Sequence, residues 1–246
     1  LLGKRFPKVD LPYALDQIRG RQSARTKLPA WANTEGIVYP PHLNMEQCSS
    51  EQTALYKQEI AVRLLKELPA ENKPTFADLT GGFGVDFSYM SKPFKKALYV
   101  ERNEQLCSIA TQNFKCLGLN NISTKNGDSI EVLHQLDSVS VLFLDPARRN
   151  SSGGKVVSMT DCEPNVLELC DEMVKKSHFV VLKLSPMLDW HSAVSQLKYV
   201  TEVHIVSVGN ECKELLLVLT DRNKTAKGCK SNTIQIFCVN DNDVFS

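Results

Sequence analysis

From residue 75 onward, short apolar runs alternate with amphipathic stretches. The runs occupy residues 76–79, 97–100, 122–125, 139–144, 179–184, 203–208 and 215–219. They are near-continuously apolar, which predicts strands of a mostly parallel sheet covered by helices on both faces. Between the second and third runs, Leu106, Ile109, Ala110, Phe114 and Leu117 form a helical stripe that stops at Gly118. A further helix is expected with Pro164 at its start and Leu167, Cys170 and Val174 along one side. Only residues 209–214 separate the last two runs, too few for a helical crossover, so these runs should pair antiparallel. Asn210-Glu211-Cys212-Lys213-Glu214 is then the hairpin loop. The pattern predicts an α/β, Rossmann-like, seven-stranded sheet with a C-terminal antiparallel hairpin.

Ahead of the sheet the period is helical. Asp10 can cap a helix with Pro12 near its start and Leu11, Ala14, Leu15 and Ile18 on its apolar face. Pro29 and Pro40-Pro41 break the chain into a loop carrying Trp31 and Tyr39. A second helix should start near Ser49 or Ser50, with Gln52 completing a capping box from Ser49 and Ala54, Ala61, Leu65 and Leu68 on one face. The expected organisation is a helical, basic N-terminal extension (1–45), a cofactor-binding domain (46–222) and a C-terminal segment (223–246), a candidate start of a truncated further domain. A first residue other than Met suggests a trimmed chain.

Composition narrows the class. The chain has 246 residues, 42% of them hydrophobic, which is enough for one sizeable core. No apolar run is long enough to cross a membrane and no signal-peptide pattern opens the chain, so a cytoplasmic protein is expected. The eight cysteines (48, 107, 116, 162, 170, 212, 229 and 238) lie singly, without a CxxC pair, and read as reduced thiols. His134, His178, His191 and His204 are dispersed, and no metal is expected. Net charge is +1 overall, but residues 1–30 set Lys4, Arg5, Lys8, Arg19, Arg21, Arg25 and Lys27 against Asp10 and Asp16, a local +5. Such a face can hold phosphates. A merely solvated helix would look the same.

The candidate chemistry lies where strands end. Asp78-Leu79-Thr80-Gly81-Gly82-Phe83-Gly84 follows the first strand, and its glycines allow a tight turn and close approach of backbone to ligand. The second strand ends in Glu101, seventeen residues after Gly84, where a carboxylate can accept both hydroxyls of a ribose. The third is followed by Asn126-Gly127-Asp128, where Asp128 could hold an adenine amino group. A lone Asp there would be a turn residue. Three acids at three successive strand ends point to a nucleoside site. The glycines do not extend to GxGxxG and no P-loop Gly-Lys-Ser/Thr is present, which argues against dinucleotides and nucleoside triphosphates. The fourth strand runs into Asp145-Pro146-Ala147-Arg148-Arg149, at the switch point of such a sheet. Asp145 and the carbonyl of the rigid Pro146 could accept the protons of an amine. Lys183 and Ser185, at the end of the fifth strand, could contact substrate or merely cap the next helix.

The pattern Asp78, Gly82, Gly84, Glu101 and Asp128 resembles the cofactor motifs of class I S-adenosylmethionine-dependent methyltransferases. That resemblance implies S-adenosyl-L-methionine as cofactor and the strand order 3-2-1-4-5-7-6. Asp78 would lie by its methionine end, Glu101 by the ribose and Asp128 by the adenine, with Thr80, Gly81, Gly82 and Gly84 also binding the cofactor. Asp145-Pro146 resembles the Asp-Pro-Pro-aromatic motif of enzymes that methylate base amino groups, including trimethylguanosine-synthase-like cap guanine-N2 methyltransferases. The stretch 39–219 is similar to a bacterial branch with Asp-Pro-Ala-Arg-Arg, Leu-Ser-Pro-Met-Leu-Asp and Asn-Glu-Cys-Lys-Glu, whose members often carry a THUMP-like RNA-binding domain. The implied activity is N-methylation of RNA by direct displacement, with Asp145, Pro146 and Arg148 at the catalytic end and Arg148, Arg149, Lys183 and Ser185 toward substrate.

Two departures matter. Ala147 replaces the second Pro, and Arg148 replaces the aromatic; a guanidinium can stack on a base or hold a phosphate. Asp-Pro-Ala-Arg is also similar to the motif of RNA 5-methyluridine methyltransferases, which use a cysteine nucleophile after the next strand. Here that place reads Leu182-Lys183-Leu184-Ser185-Pro186-Met187, without cysteine. Two alternatives stay open: a non-catalytic RNA-binding module of the same fold, and a methyltransferase acting on a small molecule or protein.

Overall fold

The computed structural model describes residues 9–68, 73–148, 159–224 and 233–246. The first four runs become β1 (Thr75–Asp78), β2 (Lys96–Glu101), β3 (Ile122–Asn126) and β4 (Val139–Leu144). A small ribbon, β5 (Ala147–Arg148) with β6 (Cys162–Glu163), precedes β7 (Ser177–Leu184), β8 (Val200–Val208) and β9 (Glu211–Leu219). Two more strands follow, β10 (Gln235–Asn240) and β11 (Asp243–Phe245). Among the described residues the main sheet runs β11-β10-β8-β9-β7-β4-β1-β2-β3. It therefore holds nine strands, not the expected seven. The seven keep their expected order, with β9 antiparallel between β7 and β8. The extra pair covers the outer edge of β8, which β10 joins in parallel from Gln235↔Glu202 to Asn240↔Ser207. An uncovered edge would leave a row of backbone donors and acceptors unpaired.

Every residue of β4 is buried, as the middle of a doubly covered sheet requires. Helices α5 (Val85–Met90), α6 (Glu104–Cys116), α7 (Ser129–Gln135), α8 (Val166–Lys176) and α9 (Trp190–Gln196) cover the faces; the first four helices precede β1. In α6, Leu106, Ala110 and Phe114 are buried as the stripe predicts. Helix α8 is capped by Asn165, whose side chain accepts from the Leu167 N–H, so Pro164 lies just outside the helix instead of in its first turn.

The hairpin is tighter than expected. Gly209 and Asn210 alone make the turn, with φ of +59° and +62°, the left-handed pair that suits the twist of two antiparallel strands. Glu211 through Glu214 are strand, not loop, and Glu214 is carried inside.

The N-terminal helices are α1 (Leu11–Lys27), α2 (Pro29–Ala32), α3 (His42–Gln47) and α4 (Glu51–Leu65). Asp10 caps α1 as expected, accepting from the Tyr13 N–H. Its buried face is not the Leu15–Ile18 face, which is exposed, but Gly20 and Ala24. Small residues win because Tyr39 crosses there: a Cβ on Gly20 would lie 2.3 Å from Tyr39 Cβ. Gln17 then pins Tyr39 through its backbone N–H and C=O. Trp31 packs against Phe83 with ring centroids 4.9 Å apart, and Asn113 of α6 bonds both backbone groups of Val38. The extension is thus docked beside the glycine loop. Helix α4 is capped by Ser50, which leaves Ser49 outside the helix and available to other partners; its buried face includes Ala54, Lys57, Ala61 and Leu64, with Leu65 and Leu68 only half-buried. No described helix is long and apolar enough to cross a membrane.

Candidate active site

A cavity of about 1500 Å³ opens at the carboxyl ends of β1, β2, β4 and β7. This is the end of a doubly wound sheet at which ligands bind. Asp78, Thr80, Gly81, Gly82, Gly84, Glu101, Asp128, Asp145, Pro146, Lys183 and Ser185 all line it. The backbone of Arg148 lies in β5, opposite Cys162. Its side chain, and Arg149 altogether, fall outside the described residues.

The glycine loop is shaped by what presses on it. A Cβ on Gly81 would stand 2.0 Å from Tyr99 Cε2, so only glycine lets Tyr99 of β2 lie flat beneath the turn. The Tyr99 hydroxyl donates to the Gly82 carbonyl. Gly82 and Gly84 take φ of +54° and +89°, values costly for any residue with a side chain. Thr80 links two strand ends: its N–H donates to Asp78 Oδ1 at 2.9 Å, and its Oγ1 accepts from the Asp145 N–H at 2.6 Å.

Glu101 is held from both sides. Gly82 N–H donates to Oε2 and Asn103 N–H to Oε1, each at 2.8 Å. Two backbone donors fix the carboxylate plane while each oxygen keeps a lone pair for a ligand. Asp128 is the N-cap of α7, with Oδ1 accepting from the Ile130 and Glu131 N–H groups. It is therefore a helix cap and a cavity wall at once. Asp78 is 1% exposed; burial pushes its carboxyl well above the usual range, the Thr80 N–H opposes this, and Asp86, Asp145 and Glu101 add to it.

Beneath the β4 end lies a charge network that the strand-end pattern does not reveal. Lys57 of α4 is fully buried, 2.7 Å from Glu214 Oε2 and 3.0 Å from Asp86 Oδ1. Lys183 of β7 meets Asp145 Oδ2 at 2.6 Å, Asp86 Oδ2 at 3.4 Å and Glu214 Oε2 at 4.0 Å. Ser49 donates to Asp86 Oδ2 at 2.8 Å and accepts from both lysines. Burial alone would depress Lys183; the carboxylates of Asp145, Asp86 and Glu214 overcome it and hold the ammonium well above its ordinary value. Burial likewise acts to raise Asp86, and Lys57, Lys183 and the Ser49 hydroxyl reverse this to a net lowering. The sequence does carry one clue to the network: Lys57 stands in the apolar stripe of α4 between Ala54 and Ala61, where an unpaired ammonium is untenable.

Among the described residues lining the cavity, seven carboxylates face three cations. No group of three or more described His, Cys, Asp or Glu side chains is placed to hold a metal ion.

No family model and no curated protein sequence matches the chain. Among solved structures, a candidate methyltransferase from Porphyromonas gingivalis W83 superposes with a TM-score of 0.79 at 28% identity, over 97% of this chain and 59% of that one. The chain thus spans about three fifths of that protein's length. A candidate RNA methyltransferase from Pyrococcus horikoshii gives a TM-score of 0.52 at 14% identity, over 82% of this chain and 94% of that one, a likeness of fold alone. The chain has the α/β, Rossmann-like methyltransferase fold, mostly parallel with a C-terminal antiparallel hairpin.

Proposed function

We propose that this protein is an S-adenosyl-L-methionine-dependent methyltransferase that transfers a methyl group to a base amino nitrogen of RNA. The observation that carries the reading is Glu101, oriented by two backbone N–H groups beside a glycine loop that lines the same cavity. The fit to the cofactor is chemical as well as spatial. An acidic cavity suits a ligand bearing a cationic sulfonium and an ammonium, and disfavours a pyrophosphate. Glu101 would hold the ribose, Asp128 the adenine, and Asp78 with the 80–84 loop the methionine end. The likeness to the P. gingivalis structure points the same way.

When bound, S-adenosyl-L-methionine supplies an electrophilic methyl carbon. The protein's part is alignment and proton acceptance. Asp145 and the Pro146 carbonyl at the end of β4 would accept hydrogen bonds from the acceptor amine, turning its lone pair toward the methyl carbon. Pro146 restricts the backbone there, so little freedom is lost on binding. RNA as the acceptor rests on charge layout. The cavity repels phosphates, whereas Arg19, Arg21 and Arg25 lie exposed on α1. Helix α1 packs beside α3, whose Asn44 and Gln47 form part of the cavity wall. A base could enter the cavity with its phosphates left on that basic face.

The test is calorimetric titration with S-adenosylhomocysteine, followed by transfer of labelled methyl to RNA. Glu101→Ala should weaken S-adenosylhomocysteine binding at least tenfold. Asp145→Ala should abolish transfer while leaving that affinity within about threefold. A well-folded wild-type chain with no affinity for S-adenosylhomocysteine would reject the cofactor assignment.

A further inference from the structure

Asp145 is the one member of the buried network that opens widely to the cavity. Its side chain is 40% exposed, against 13% for Lys183, 10% for Asp86, 3% for Glu214 and none for Lys57. The network sets three carboxylates against two ammonium groups, a surplus of one negative charge. Lys57 is taken up by Glu214 and Asp86 at the closed end. Lys183 spans the gap and fastens Asp145 by a single oxygen, Oδ2. Among the described residues no hydrogen-bond donor meets Oδ1. The most exposed carboxylate of this net negative group is therefore Asp145, which lines the cavity.

We propose that Lys183 is a positioning residue for methyl transfer, clamping Asp145 so that Oδ1 faces the acceptor amine; this rests on the methyltransferase reading above. In the transfer, the nitrogen lone pair forms the N–C bond while the C–S bond breaks with its electron pair remaining on sulfur. The nitrogen becomes cationic, and its N–H proton passes to Asp145 Oδ1 and on to water at the mouth. A clamped carboxylate beside a net negative cluster stabilises that developing charge without having to reorient. A lysine whose ammonium was free for substrate would have stood apart from Asp145; here the two are 2.6 Å apart. The Lys183 ammonium that holds Asp145 also meets Asp86 of α5 at 3.4 Å and Glu214 of β9 at 4.0 Å.

The experiment compares wild type, Lys183→Met and Lys183→Arg. It measures S-adenosylhomocysteine affinity by calorimetry, and single-turnover transfer from labelled S-adenosyl-L-methionine to random-sequence single-stranded RNA across pH. Lys183→Met should keep its affinity within about threefold and lose about 100-fold in rate. Lys183→Arg, which keeps the charge, should recover at least a tenth of the wild-type rate. A wild-type rate in Lys183→Met would overturn the assignment. So would an Arg variant that binds normally yet is as slow as the Met variant, or a loss of affinity in both that tracks the loss of rate. A wild-type chain that binds S-adenosylhomocysteine but labels no RNA would instead bring down the RNA reading, and this proposal with it.

Discussion

Asp78 is held in a form that weakens the fold. Burial raises its carboxyl well above the usual range, even with the Thr80 N–H bonded to it. A carboxyl raised in the folded state contributes its full stability below the unfolded value and loses it as pH rises toward the folded one. At neutral pH the unfolded chain, which ionises freely, is therefore favoured by this residue. Asp78→Asn preserves an acceptor for Thr80 and removes the titration. It should raise Tm by about 2–4 °C while reducing S-adenosylhomocysteine affinity at least tenfold. Thermal melts and calorimetry on the same preparation would check both; a lower Tm with unchanged affinity would contradict the argument. Under the proposed reading, stability surrendered at Asp78 is what a cofactor-binding residue would show. This half of the site is legible in the sequence, because its glycines and acids lie close after strand ends and need only local spacing to be found.

Between elements the logic is different. Helix α4 and strand β9 meet through Lys57 and Glu214, 157 residues apart. No local spacing reveals such a pair, and the length of one turn decides whether it can form. In a five-residue loop Glu214 stays outside; with a turn of only Gly209 and Asn210, the strand begins at Glu211 and its pleat brings Glu214 in. Likewise Lys57 belongs to the buried face of α4, whose apolar spacing points only to Ala54, Ala61, Leu65 and Leu68. Removing Lys57 leaves the buried Glu214 and Asp86 with only Lys183 for a counter-charge. Lys57→Met should cost about 3–5 kcal/mol in urea unfolding. Lys57→Met with Glu214→Met should cost less than the two single changes added together, since once Glu214 is gone the loss of Lys57 strands one carboxylate fewer. Additive losses would mean that the two residues are not coupled.

The sheet as a whole ends in a third polar cluster, at the β8–β10 edge. His204 is 1% exposed and stacks on Phe237 of β10 at 4.6 Å between centroids. Its ring nitrogens meet the Tyr56 hydroxyl at 2.7 Å and Glu202 at 3.0 Å, and Arg63 holds both Glu202 oxygens. Burial depresses His204 below its ordinary value, more strongly than Glu202 raises it. As pH falls through about 6.5, the unfolded chain gains a proton that the folded one refuses, so stability drops until the folded value is reached. Tm should fall between pH 7 and 5.5, and fall less in His204→Phe, which keeps a ring against Phe237; equal slopes would remove His204 from the account. Strands β4, β7 and β9 are readable from the chain because burial on both faces leaves nearly unbroken apolar runs. Strand β10 is not: Gln235 and Ile236 are exposed, and its partner β8 ends 27 residues before it begins.

The long reach from Lys57 to Glu214 also sets a timetable. A ribosome delivers the glycine loop, Glu101, Asp128, Asp145 and Lys183 in that order, and Glu214 only afterwards. Translation of the 157 residues between Lys57 and Glu214 takes roughly ten to thirty seconds. Throughout that interval the Lys57 ammonium has only Asp86 of its two carboxylate partners. The floor beneath Asp145 can close only when the hairpin emerges, after the glycine loop and all of the strand-end acids have been made.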